Sequence, residues 1–217
     1  MLRAVLFDMD GTLTEPMLDF EAIRLEAGVP AGKPILEHLE TVGSAERRRI
    51  EEILERHEEE AARRSVLTDG ATAILAMLKE RGIRTGVITR NSRRSVDTMC
   101  ATHGLAFDVI MTREDGPVKP SAEPVLRACE ALGVDPGETL MVGDYLFDVE
   151  AGRAAGARTA FYERSYCLRE DFPVDYRLRK LSDLERILRE RDQPRRLTCT
   201  KQRHKGGEDA GEINEGE

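Results

Sequence analysis

Short apolar runs rich in β-branched residues recur along this chain, at Ala4–Phe7, Ile83–Thr89, Phe107–Met111 and Thr139–Val142, with Arg158–Tyr162 as a weaker fifth. Between them lie stretches with helical spacing, and that alternation predicts βαβ crossovers around a parallel sheet. The run Ala71–Lys79 places Ile74, Leu75, Met77 and Leu78 towards the sheet, with Thr68 or Asp69 as its expected N-cap and Gly82 as its stop. Ser121 is expected to start a further helix that Gly133 ends, with Pro124 tolerated in its first turn. Ser182 and Glu185 have capping-box spacing before a last helix through Arg191.

Residues 15–65 break the rhythm. They hold no strand-like run but charged helical patterns such as AERRRIEEILERHEEEAARR. The sequence thus predicts a core of residues 1–14 and 66–192 with an inserted helical module at 15–65. Such an insert can lie over the carboxyl ends of the strands, where ligands bind in open α/β folds, so it reads as a cap. Its charged helix, with i,i+4 pairs such as Glu52 with Arg56 and Glu60 with Arg64, reads as a solvated face. Lys33 and His38, near the turn-rich segment Gly28–Pro34, could reach a ligand, but surface positions are the plainer reading. Residues 193–217 turn polar and Gly/Glu-rich and are expected to be a disordered tail.

Composition narrows the function classes. A chain of 217 residues with 40% hydrophobic and 34% charged residues is of globular type, and its net charge of -8 disfavours nucleic acid or an acidic membrane as partner. No apolar stretch approaches membrane-spanning length, and a cytoplasmic location is expected. The four cysteines, Cys100, Cys129, Cys167 and Cys199, lack metal-ligand spacing and read as reduced thiols.

Chemistry concentrates at the ends of the predicted strands. The first runs into Asp8-Met9-Asp10-Gly11-Thr12, where two carboxylates leave a strand end and Gly11 permits a sharp turn. Neighbouring carboxylates repel, so such a pair suits a site where a hard divalent cation holds them or where their pKa values differ. The second strand ends at Thr89, followed by Arg90 and Asn91 at a helix start, a place for an anion or simply an N-cap. Lys119, in Val118-Lys119-Pro120, could neutralise phosphate oxygens or be plain surface. The fourth strand leads into Gly143-Asp144-Tyr145-Leu146-Phe147-Asp148, a second acidic pair.

Taken in order, these four stretches resemble the motifs of the haloacid dehalogenase superfamily, over roughly residues 1–165, and within it the phosphoglycolate phosphatase and β-phosphoglucomutase-like members. The resemblance implies a doubly wound parallel sheet with a small helical cap, and a Mg2+-dependent phosphatase acting on a small phosphorylated metabolite. It implies Asp8 as nucleophile, Asp10 as acid/base, and Thr89, Arg90 and Lys119 around the phosphoryl group. The metal would lie between Asp8, Asp144 and the backbone carbonyl of Asp10, with Asp148 orienting Lys119 or the metal shell. Tyr145 departs from the pattern, standing where many members have serine. A phosphomutase with the same motifs, and a binding protein that keeps the fold without turnover, are the alternative readings. No oligomeric state is assigned.

Overall fold

The computed structural model describes residues 1–164 and 172–192. Six parallel strands, β1 (Ala4–Phe7), β2 (Arg84–Ile88), β3 (Val109–Met111), β4 (Thr139–Gly143), β5 (Arg158–Tyr162) and β6 (Tyr176–Leu178), form one sheet in the order β3-β2-β1-β4-β5-β6. This is a doubly wound, Rossmann-like sheet whose strand order reverses between β1 and β4, the position at which open α/β folds bind ligands. Register aligns the two neighbours of β1, because Phe7 pairs with Val87 on one side and with Val142 on the other. The residues that follow β1, β2 and β4 therefore emerge along one edge.

Alternation along the strands feeds a core on each face. Val5, Phe7, Val87, Leu140 and Val142 join the first. Against them pack Ile74 and Leu78 of α4 (Ala71–Glu80), Val96 and Met99 of α5 (Arg93–His103), and Ile187 and Leu188 of α8 (Leu184–Asp192). Leu6, Ile88 and Met141 face the other way, onto Val125 and Ala128 of α6 (Glu123–Leu132) and Ala151 of α7 (Leu146–Ala154).

Between β1 and α4 the chain builds α1 (Phe20–Ala27), α2 (Ile35–Leu39) and α3 (Ser44–Arg63). Asp19 caps α1 by accepting the N–H groups of Glu21 and Ala22 at 3.1 and 3.0 Å. Ile23, Ala27, Ile35, Leu39, Ile50 and Leu54 form a small core of their own. The buried stripe of α3 runs Ile50, Leu54, Glu58, Ala62 at helical spacing, and Ala62 already belongs to the core beneath the sheet. One helix thus spans both. The chain crosses between the two at paired segments, where the Glu15 N–H donates to the Val66 carbonyl at 2.8 Å and the Thr68 N–H to the Leu13 carbonyl at 2.9 Å.

Local punctuation departs from expectation in four places. Gly70, not Thr68 or Asp69, occupies the N-cap of α4 without a side-chain cap, because the Thr68 hydroxyl instead accepts from Arg164 at 2.7 Å. α6 begins at Glu123 rather than Ser121, whose hydroxyl accepts the Glu123 N–H at 3.2 Å. Before α8 the capping carboxylate is that of Asp183, accepting the Arg179 and Lys180 N–H groups at 2.9 and 3.2 Å, so the Ser182–Glu185 box does not start that helix. Arg56 turns to Glu26 of α1 rather than to Glu52, whereas Glu60 and Arg64 do pair at 3.5 Å. The tail expected from residue 193, together with Cys167 and Cys199, lies outside the described residues. Cys100 and Cys129 are free thiols. Among the described residues no helix is long and apolar enough to cross a membrane.

Candidate active site

Where β1 ends, Asp8 leaves the sheet with its N–H bonded to the Val142 carbonyl of β4 at 2.8 Å. That bond fixes it beside Gly143 and Asp144. Lys119 reaches in from the loop before α6, 3% exposed, and its Nζ donates to Asp8 Oδ1 at 2.5 Å and to Asp148 Oδ1 at 2.6 Å. Residues separated by 111 positions in the chain are thus in direct contact. Burial works against the lysine's charge, but the carboxylates of Asp148 and Asp8 outweigh it and lift its pKa above the ordinary lysine value. The Asp148 carboxylate is steadied in turn by the Tyr145 N–H at 3.0 Å.

Two glycines make the convergence possible. A Cβ on Gly143 would lie 2.1 Å from the Asp148 carboxyl carbon, so only glycine lets Asp148 fold back under the strand end. Gly11 has φ 86°, and a Cβ there would stand 2.3 Å from Asp144 Oδ2, so any side chain would meet both strain and a clash. Asp144 is also held by the Thr12 hydroxyl, 3.0 Å from its Oδ1.

Asp8, Asp144 and Asp148 bring carboxylate oxygens within 4.8 Å of one another. Three hard anionic oxygens at one rim fit a metal ion of the magnesium type, whereas a soft metal would want sulfur or imidazole. Asp10 stands apart from this trio. Its Oδ1 accepts the Met17 N–H at 3.2 Å. Burial pushes the Asp10 carboxyl up to about 7; the Met17 N–H opposes that rise, and the charges of Asp8 and Asp144 add to it.

The remaining expected residues have other engagements. Thr89 is buried and its hydroxyl accepts the Asn91 N–H at 3.1 Å. Arg90 is held from three sides: Nη2 donates to both Glu37 oxygens at 2.8 Å, Nη1 to the Lys119 carbonyl, and the guanidinium lies 4.9 Å from the Phe147 ring centre. It joins α2 to the loop before α6 and to the start of α7. Lys33 and His38 make local contacts with Thr41.

Two residues that sequence reasoning passed over hold the frame. Arg164, after β5, donates to the Gly11 carbonyl at 2.7 Å, to Thr68 Oγ1 at 2.7 Å and to the Glu15 carboxylate, and lies over the Tyr162 ring. It ties the turn after Asp10 to both crossing segments. Glu58, in the charged helix read as solvated, is 2% exposed. It accepts the Ser92 N–H at 3.0 Å, at the start of α5, and pairs with Arg113. Burial raises its pKa while Arg113 opposes the rise, so solvation lost outweighs attraction gained. Removing one partner is a different matter, since it strands the other charge. Glu58→Ala is expected to lower stability by about 3 kcal/mol in urea unfolding. Replacing Arg113 with Met as well should recover part of that loss, and a Glu58→Ala protein as stable as the parent would show that the pair is not buried in solution.

Comparison with known proteins agrees with this arrangement. The family model of haloacid dehalogenase-like hydrolases matches residues 2–156. The chain is 31% identical over 205 residues to the haloacid dehalogenase-like hydrolase domain-containing protein At2g33255 of Arabidopsis thaliana, covering 86% of this chain and 84% of that protein. It is 35% identical to the N-acetylmuramic acid 6-phosphate phosphatase of Pseudomonas putida, covering 81% and 89%. Among solved structures, CbbY from Rhodobacter sphaeroides in complex with phosphate superposes with a TM-score of 0.64 at 26% identity, covering 85% of this chain and 96% of CbbY. With the reversal of strand order between β1 and β4, the acidic rim around Lys119 and a family match over most of its length, this chain belongs to the haloacid dehalogenase-like hydrolases.

Proposed function

We propose that the protein is a Mg2+-dependent phosphomonoester hydrolase that acts on a small phosphorylated metabolite through a covalent aspartyl-phosphate on Asp8. The observation that carries the reading is Lys119, enclosed and held protonated between Asp8 and Asp148 at the strand edge. A carboxylate attacking a phosphate dianion meets like charge. At about 4 Å and an effective dielectric near 20, each pair of unit charges costs about 4 kcal/mol, so cations must already stand in place. The protein supplies one of them as Lys119. Asp8, Asp144 and the backbone carbonyl of Asp10 would hold Mg2+, with Asp148 supporting Lys119 and the metal shell; when bound, the ion would neutralise phosphoryl oxygens.

In the first half-reaction an Asp8 oxygen bonds to phosphorus as the ester P–O bond breaks, and protonated Asp10 gives its proton to the departing alkoxide. In the second, Asp10 takes a proton from water as the water oxygen attacks phosphorus, releasing inorganic phosphate and restoring the Asp8 carboxylate. A pKa of about 7 suits a group that must serve in both protonation states near neutrality. Thr89 and Arg90 flank the phosphoryl position, Arg90 after its link to Glu37 rearranges or as a fixed wall.

The relatives support phosphatase chemistry, because one is a sugar phosphate phosphatase and another binds phosphate. The test is a panel of phosphorylated sugars, short acids and nucleotides assayed for inorganic phosphate. Release should require Mg2+, stop on chelation, return on adding the ion back, and need no bisphosphate activator. Release that persists unchanged in a chelator would overturn the metal assignment; dependence on a bisphosphate would make the protein a phosphomutase.

A further inference from the structure

A group that donates and accepts a proton must be placed closely, yet Asp10 lies beyond the end of β1, past the hydrogen-bond ladder of the sheet. Its backbone pairs with Thr14, and its carboxylate accepts the Met17 N–H at 3.2 Å. Both supports belong to the segment on which the chain leaves the core for the insert. The turn between them closes on itself: the Leu13 and Thr14 N–H groups donate to the Met9 carbonyl at 2.9 and 3.0 Å, and the Gly11 N–H donates to the Thr14 carbonyl at 2.9 Å. One side of this turn is anchored through Thr12 to Asp144 at 3.0 Å. The other side is held by Arg164.

Arg164 approaches from the end of β5. Its Nε donates to the carbonyl of Gly11, the residue after Asp10, at 2.7 Å. Its Nη2 reaches Thr68 Oγ1 at 2.7 Å and the Thr14 carbonyl at 3.4 Å, and its Nη1 pairs with Glu15. The side chain is 11% exposed, and the guanidinium lies 4.7 Å from the Tyr162 ring centre, which steadies its plane. Three of the four acceptors are neutral oxygens. Pairing with Glu15, itself half open to water, would need no such fork, and a single ammonium could not span all four.

We infer that Arg164 is a positioning residue for Asp10: by clamping the Gly11 carbonyl and the segment that carries Thr14, Glu15 and Met17, it holds the Asp10 carboxyl where it can pass its proton to the leaving group. The inference rests on the phosphatase reading above. A well-placed acid contributes about 10²–10⁴-fold to rate, and a displacement of about 1 Å at such a group can cost about 10²-fold. The clamp therefore acts on the step in which Asp10 moves a proton, and not on the capture of phosphate by Lys119.

The experiment compares kcat/KM for the fastest alkyl ester of the panel above with kcat/KM for acetyl phosphate, in the parent and in Arg164→Gln, Arg164→Lys and Thr68→Val. An alkoxide needs a proton as its P–O bond breaks, whereas acetate leaves as a stable anion, and kcat/KM reports the steps up to that departure. Arg164→Gln should lower kcat/KM for the alkyl ester by about 100-fold and for acetyl phosphate by less than about threefold. For acetyl phosphate kcat and KM should fall together, because the aspartyl-phosphate then waits for the water that Asp10 activates. Arg164→Lys, which keeps the charge without the fork, should restore little of the alkyl ester rate. Thr68→Val removes one contact of the clamp and should lower the alkyl-to-acetyl ratio by about fivefold, which keeps the test open if Arg164→Gln does not fold. Equal losses on both substrates would make Arg164 a structural staple and overturn the inference. Full restoration by Arg164→Lys would show that charge and not placement matters, and would overturn it too. A parent that hydrolyses acetyl phosphate but no alkyl ester has no proton donor to position, so the inference fails while covalent transfer to Asp8 stands. If no phosphate is released from any of these compounds, the phosphatase reading falls and the inference with it.

Discussion

Asp8→Asn abolishes phosphate release, lowering kcat by about 10⁴-fold or more, while the protein keeps its fold and melts within a few degrees of the parent. The expectation follows from where Asp8 sits. Asparagine matches its shape, so the backbone bond to Val142 and the packing at the end of β1 survive. Its amide oxygen can still accept from Lys119 Nζ, now 2.5 Å from the Asp8 carboxylate. What disappears is the nucleophilic charge, together with its repulsion against Asp144 and Asp148, and relieving that repulsion offsets the lost attraction to the lysine. Steady-state phosphate release with a matched circular dichroism melt separates chemistry from folding. A folded Asp8→Asn protein with turnover within tenfold of the parent would remove Asp8 as nucleophile.

Lys119→Ala carries the second large effect, and here catalysis and stability change together. The substitution leaves Asp8 and Asp148 facing one another at a buried rim with no cation between them. Losing one preorganised charge aimed at the phosphoryl oxygens lowers kcat/KM by about 10³-fold. Arginine should not rescue it, because the guanidinium fork is wider than the enclosed space occupied by a single ammonium. Asp148 is already pushed up to about 7 in the parent, burial outweighing Lys119, and without the lysine it rises further. The folded variant therefore keeps a proton on Asp148 to higher pH than the parent does; the stability this proton contributes is full below the ordinary carboxylate range and is lost as pH rises to the raised folded pKa, over a wider span than in the parent. Urea unfolding as a function of pH measures that span. An unchanged pH dependence and an unchanged kcat/KM would place Lys119 outside the site.

The strands that carry the candidate site residues are readable because they are buried on both faces and thus spelled as continuous apolar runs. β1, with four consecutive buried residues, is the clearest instance. β6 was not readable, since Tyr176–Leu178 is three residues long with an exposed arginine at its centre. At the site, Asp8, Lys119, Asp144 and Asp148 announced themselves by standing directly after such runs or in a short loop before a helix. Arg164 gave no signal, because its acceptor at Gly11 lies 153 positions away and a single arginine after a strand has no pattern. Glu58 was hidden for the opposite reason. It sits in a run of like residues, Glu58-Glu59-Glu60, and only the stripe from Ile50 through Ala62 distinguishes it from its neighbours.

That stripe bears on how a reactant arrives. A lid swinging on the paired segments near Glu15 and Val66 would have to drag Ala62 out of the hydrophobic interior and strip Ser92 and Arg113 of their common acceptor. Admission through α1 and α2 alone spares those contacts, but it must part Ile23, Ala27, Ile35 and Leu39 from Ile50 and Leu54 and release Arg90 from Glu37. The doorway is then a hatch seated on a fixed post by apolar packing, and traffic through it responds to denaturant as well as to ionic strength.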